Sequence, residues 1–142
     1  MSVSAFSIGR DAQLVVIGPT GRLDLSFVSG FEARQLTQQV RISRLDGTQM
    51  GTDLPKGWEG SFDLERGNSA VEDFIAAAEQ DYYIGNPSVA SIMYQYIAEP
   101  DGSTSTYQFD GVTFRLANAG HWKGDSSVQQ RLEFYATRRR RI

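Results

Sequence analysis

Apolar residues recur at every second position along much of this chain, the spacing of strands with one face in a core and the other in water. Ala12 to Ile17 is an apolar run, and Leu23, Leu25 and Phe27 then alternate with Asp24 and Ser26. Between them, Gly18-Pro19-Thr20-Gly21 is turn chemistry, because Pro presets one φ and Gly permits a positive one. The two segments predict a hairpin. Phe31 to Leu45 is long, polar and extended, with Val40 and Ile42 marking one face near its end. A strand that buries so little needs another reason to be ordered, and a wet channel or a neighbouring subunit supplies one. Asp46 to Gly57, rich in Gly, Asp and Thr, predicts a long loop around Met50 and Leu54. Trp58, Gly60, Phe62 and Leu64 alternate with Glu59, Ser61, Asp63 and Glu65, a strand apolar on one face and acidic on the other.

The period changes once. Val71, Phe74, Ile75, Ala78 and Tyr82 form a helical stripe, so Ser69 to Tyr83 predicts a helix. Ser69 and Glu72 have the spacing of a capping box, Asp73 adds a second acid to the first turn, and Gly85-Asn86-Pro87 ends the helix. Alternation then resumes at Ala90, Ile92, Tyr94 and Tyr96. Glu99-Pro100-Asp101-Gly102 turns the chain. Tyr107 and Phe109 share a face, and the pattern slips by one residue at Asp110-Gly111 before Val112, Phe114 and Leu116, which predicts a bulge. A turn near Asn118 to Asp125 leads to a last strand bearing Val128, Gln130, Leu132, Phe134 and Ala136. The sum is about six or seven strands and one helix. That is a mainly β chain, a β-sandwich or partly closed β-barrel with one flanking α-helix, in a single domain over residues 1–142.

Composition narrows the chemistry. The chain has 142 residues and no cysteine, so disulfides and thiolate metal sites are excluded. No apolar run approaches the roughly 20 residues of a membrane helix, and Met1 to Asp11 lacks the pattern of a signal peptide. No membrane anchor and no Sec export are expected. The net charge is −3, and Arg138, Arg139, Arg140 and Arg141 sit together at the end, so without these four charges the body stands at −7. An acidic body argues against gripping nucleic acid over the main surface. On a strand, Arg138 and Arg140 face opposite to Arg139 and Arg141, which suits subunit contacts better than one phosphate-binding patch.

Catalytic signals are thin. His121 is the single histidine and lies in a turn-like stretch, so it predicts a surface or packing role and not a triad or metal centre. Glu59, Asp63 and Glu65 could serve glycosidase chemistry or a hard cation, but strand alternation alone accounts for their spacing. Trp58 and Phe62 predict core packing before a stacking platform, and Gly18 to Gly21 lacks the Lys of a phosphate loop. No cofactor, no metal and no enzymatic role are expected.

The order of elements resembles that of the tail tube family, which takes in phage tail tubes, contractile-injection tubes and the tube subunit of type VI secretion. The resemblance is carried by Leu54-Pro55-Lys56-Gly57-Trp58-Glu59-Gly60-Ser61-Phe62-Asp63-Leu64-Glu65-Arg66 with the following helix, and by Tyr94-Gln95-Tyr96 through Tyr107-Gln108-Phe109-Asp110-Gly111-Val112. It implies a structural subunit of a phage, or of a phage-like particle, in the tail of a virion assembled in the host cytoplasm. Hexameric rings would stack into a hollow tube for transient DNA passage. The partners implied are further copies of the chain, a tail sheath, a baseplate or initiator, and a tail terminator. One compact domain favours a contractile tail. The resemblance also implies that the loop carries ring-to-ring contacts at Met50, Asp53, Leu54 and Pro55, with Arg138 to Arg141 touching neighbouring subunits. Glu32, Arg34, Gln38, Glu59 and Asp63 are then candidates for the lumen wall. The competing readings are a small β-barrel module binding oligosaccharide or nucleic acid near Trp58, Tyr94 or Tyr107, and a hydrolase built on the acidic strand.

Overall fold

The computed structural model describes residues 8, 12–18, 21–23, 25, 28–85 and 91–142. Among these the chain forms β1 (Ala12–Gly18), β2 (Gly21–Leu23), β3 (Val28–Ser43), β4 (Gln49–Glu65), α1 (Ala70–Tyr83), β5 (Ser91–Ala98), β6 (Thr104–Asn118), β7 (Gln129–Ala136) and β8 (Arg138–Arg141). The mainly β class and the lone helix are as expected. Among the described residues the strands number eight, because the terminal arginines form a strand of their own. They make one antiparallel sheet in the order β2-β1-β5-β6-β7-β4-β3, with β8 also on β6. The end strands β2 and β3 are not paired with each other, so the sheet curls without closing into a barrel.

β6 is the bend. Its first half pairs with β5 and β8, its second with β7. The β5–β6 register shifts by one residue between Met93↔Phe109 and Ser91↔Val112, which places the bulge at Asp110-Gly111 as the slipped alternation predicts. Gly111 has φ +61, and a Cβ there would lie 2.6 Å from Thr137 Oγ1. Thr137 separates β7 from β8, and both its amide and its hydroxyl donate to the Asp110 carbonyl at 2.9 Å. Two strands therefore turn the same corner together.

The bend folds the inner faces of the two halves onto one core. Val16, Met93 and Phe109 come from one half, Phe62, Leu64, Leu132 and Phe134 from the other. Phe109 sits edge-on to Phe31, Trp58 and Phe134 at centroid distances of 6.4, 6.3 and 5.7 Å. On β5 the buried phase is Ser91, Met93 and Gln95, so Ile92, Tyr94 and Tyr96 face outward. Alternation of large apolar residues picks the wrong face there, because the outer positions hold the apolar and aromatic side chains while two of the buried ones, Ser91 and Gln95, are polar. Ala90 lies outside the described residues, as do Pro19, Thr20, Asp24, Ser26, Phe27, Asn86 and Pro87.

α1 packs over one end of this core through Val71, Phe74 and Ile75, while Tyr82 stands 73% exposed. Phe74 meets Phe114 edge-on at 5.8 Å and comes close enough to Gly18 that a side chain there would strike its ring. The capping box does not form. Ser69 Oγ bonds to Asp73 Oδ2, and Asn68 Oδ1 accepts the Ala70 amide instead. Glu72 is drawn away by stronger partners: Arg66 at 2.6 Å and the buried Gln130 at 2.8 Å. This clamp ties the helix to the ends of β4 and β7.

The segment Asp46 to Gly57 is not a loop. β3 and β4 pair continuously from Phe31↔Phe62 to Ser43↔Gln49, with one irregularity near Leu36, and only Arg44 to Thr48 turn. Gly, Thr and Pro in the segment obscured the strand. Pro55 is tolerated because the outer stretch of β4 has a neighbour on one side alone: β7 pairs only with Trp58 to Glu65. The turn at Asp46-Gly47-Thr48 matches that at Asp101-Gly102-Ser103. In each, Asp Oδ1 accepts a backbone N–H at 2.9 Å and a hydroxyl at 2.6 Å two residues on. The Gly takes φ +87 and +92 respectively.

Candidate functional site

Two surfaces stand out. The first is the outer face of β3, β4, β7 and the second half of β6. Strand alternation places Glu32 and Arg34, then Glu59, Ser61 and Asp63, then Arg131 and Glu133, then Arg115 on this one face. Neighbouring strands present opposite charges to one another. Arg34 Nε donates to Glu59 Oε1 at 2.7 Å, and Arg115 pairs with Glu133. Arg131 lies within 4.0 Å of Glu32, Asp63 and Glu133 and donates to Ser61 Oγ at 2.9 Å. The depression between them has a volume of about 430 Å³. Glu32, Arg34, Glu59 and Asp63 are thus brought together on one face. Gln38 keeps the same phase farther along β3, beyond the body of the sheet.

This face is a lattice of ion pairs, in which Glu59, Asp63 and Glu133 each lie beside an arginine. Among the described residues no group of His, Cys, Asp and Glu could hold a metal ion. His121 is exposed in the segment between β6 and β7. The aromatics proposed for a ligand groove do not converge. Tyr107 and Trp58 are covered by the Arg139 guanidinium, at 3.8 and 5.0 Å from their ring centroids. Tyr94 lies on the outer face, stacked on Tyr96 at 6.2 Å.

The terminal arginines are divided, as their alternation on β8 requires. Arg139 turns inward, also donates to Gln95 Oε1 at 3.4 Å, and has its pKa lowered by burial. Arg140 turns outward and donates to Asp110 at 2.7 Å, which holds that carboxyl below its usual range. Both are committed within the fold. Arg141 Nη2 donates to Ser105 Oγ at 3.4 Å, and Arg138 is exposed.

The second surface is the arm, the outer stretch of the β3–β4 hairpin, where every residue from Gln49 to Lys56 is exposed. Met50 and Leu54 share one face of it, whereas Asp53 and Pro55 face the other way. Sequence reasoning found Met50 and Leu54 but missed Leu36, which continues the phase of Val40 and Ile42 on the partner strand. The signal was present as a spacing of two through a polar background.

No family model matches the chain, and no curated protein matches it. Solved structures do. The chain is similar to one in the anti-feeding prophage cap, a tube-terminating cap, with TM-score 0.64 and 10% identity over 100% of this chain and 94% of that one. It is similar to a chain of the sheath–tube complex of the PVC extracellular contractile injection system, with TM-score 0.59 and 11% identity over 92% and 88%. A chain in the virion of a native gene transfer agent aligns with TM-score 0.51 and 9% identity over 96% and 99%. At such identities the likeness is one of fold, and it extends over nearly the whole chain.

Proposed function

We propose that this chain is a structural subunit of the tube of a phage or phage-like tail, and that its work is assembly. Rings of six copies stack into a hollow tube for DNA passage, with sheath, baseplate or initiator, and terminator proteins as partners. No catalytic step is part of this reading. The observation that carries it is the arm. A two-stranded ribbon that leaves its own body has no core to hold it, and in water it is marginal at best. A neighbouring subunit is the simplest support. The fold likeness to chains of tube-bearing particles points the same way.

The charged face is assigned to the lumen wall. Its three arginines already hold carboxylate partners, so passing phosphates meet no free cation there. The arm supplies the ring-to-ring contacts at Met50 and Leu54.

Electron microscopy of the purified protein, with light scattering for mass, tests the reading. Hollow tubes of uniform width, with six subunits per ring, are expected. A variant in which residues 38–54 are replaced by a two-residue turn should stay folded by circular dichroism and form no tubes. Long tubes from that variant would remove the arm from the assembly contacts. A strict monomer at high concentration from the native chain would count against the tube itself.

A further inference from the structure

The arm is amphipathic. Leu36, Val40 and Ile42 on β3 share a face with Met50 and Leu54 on β4, with Gln38 and Thr52 between them, by the register Ile42↔Met50, Val40↔Thr52 and Gln38↔Leu54. Val40, Ile42, Met50 and Leu54 are 37, 56, 44 and 42% exposed. The opposite face carries Thr37, Gln39, Arg41 and Asp53. From Thr37 to Asp46 the ribbon reaches about 30 Å, far enough to leave its own subunit.

The body exposes a second apolar surface. On the outer face of β1 and β5, Val15 opposes Tyr94 and Ile17 opposes Ile92, with Tyr96 stacked beside Tyr94. Ile17 is 43% and Ile92 36% exposed, and Gln13, opposite Tyr96, is the polar member of the row. Within β1 and β5 the row has no charged member; Arg22, opposite Ile17 on β2, borders it. The other outer face of the sheet is the ion-pair lattice, and an apolar ribbon laid on it would desolvate charges without repaying them.

We infer that the apolar face of the arm seats on the outer face of β1 and β5 of a second copy of the chain. The inference rests on the tube reading for its biological setting and names the receiving surface that reading lacks. Arm and receiver are two different patches of one chain. In the stacked arrangement of the tube reading the contact is head-to-tail and leaves a free patch for the next copy, which is how an open assembly grows, whereas a reciprocal exchange of arms would stop at a dimer. It also accounts for an apolar outer phase on β5, which the subunit's own core does not use.

The chain has no cysteine, so introduced thiols report without background. Ile42→Cys and Ile92→Cys alter exposed positions, and unchanged circular dichroism would show intact folds. The two single variants are mixed, allowed to assemble and treated with a short bis-maleimide crosslinker. A covalent dimer is expected in the mixture at least about tenfold above either variant alone, and the double variant should give a ladder of higher oligomers. Crosslinking of Ile42→Cys alone at the yield of the mixture would overturn the inference, because arm would then meet arm. Tubes in the micrographs with no crosslink would also overturn it while leaving the tube reading intact. Crosslinked mixed dimers without tubes would support the contact and count against the tube.

Discussion

Asp110 and Glu72 show how single carboxylates fasten this fold. Asp110 accepts from Arg140 and Gln108 at the corner of β6. Glu72 accepts from Arg66 and Gln130 where the helix meets the sheet. Their pKa values are lowered from 3.8 and 4.5, first by the arginine hydrogen bond in each case, against the opposing pull of desolvation. A depressed pKa means that the unfolded chain binds the proton more readily. The stabilisation is therefore complete above the unfolded values and is lost as pH falls through the folded ones. The melting temperature should stay flat from neutrality to about pH 5 and drop below about pH 4. Asp110→Asn should melt lower at neutral pH and show a shallower acid limb. An unchanged acid limb in that variant would mean that other groups govern acid unfolding.

At the scale of elements, close approach matters as much as alternation. Gly60 lies on β4 between β3 and β7, and a Cβ there would fall 2.1 Å from the Glu32 carbonyl oxygen and 2.9 Å from the Phe134 ring. Phe134 stacks on Phe31 at 5.8 Å across this position. Two of the neighbours are backbone, so they cannot simply rotate away. Gly60→Ala should cost about 1–3 kcal/mol by overpacking, read as a lower denaturant midpoint with an unchanged slope. A midpoint equal to the native one would show that β3, an edge strand, moves aside freely. In sequence Gly60 is one small residue within an alternating run, and only the three-strand geometry gives it a reason.

Across the whole molecule, the two outer faces of the sheet differ in kind: one holds a charge lattice, the other an apolar row on β1 and β5. The lattice balances Arg34, Arg115 and Arg131 against Glu32, Glu59, Asp63 and Glu133. Its behaviour toward DNA then depends on partners rather than on the count of arginines. Replacing Glu59 and Glu133 with Gln leaves Arg34 and Arg115 without carboxylate partners on the proposed wall. Assembled tubes of this double variant should retain short duplex DNA at low salt in a filter or sedimentation assay. The retention should fall steeply as salt rises. Native tubes should retain little. Equal retention by both would place this face away from the DNA path.

The sequence by itself determined the strands that alternate cleanly: Trp58 to Glu65, the bulge at Asp110-Gly111, the turn at Asp101-Gly102 and the helix span. In each, the local pattern and the final environment agree, so the period of two or 3.6 is enough. It also made the split of the arginine run legible, since alternation alone sends Arg139 and Arg140 to opposite sides. The arm was not legible, because its Gly and Pro are allowed only where one edge of β4 lacks a neighbour, and that is a property of the sheet order. Nor was the phase of β5, where the buried side carries Ser91 and Gln95 and the outer side carries Ile92, Tyr94 and Tyr96, so apolar periodicity points to the wrong face. The pairing of the wall charges joins residues as far apart as Glu32 and Arg131. Such contacts exist only once β3, β4, β7 and β6 stand side by side, so tertiary structure alone decided which arginines are free to meet a partner.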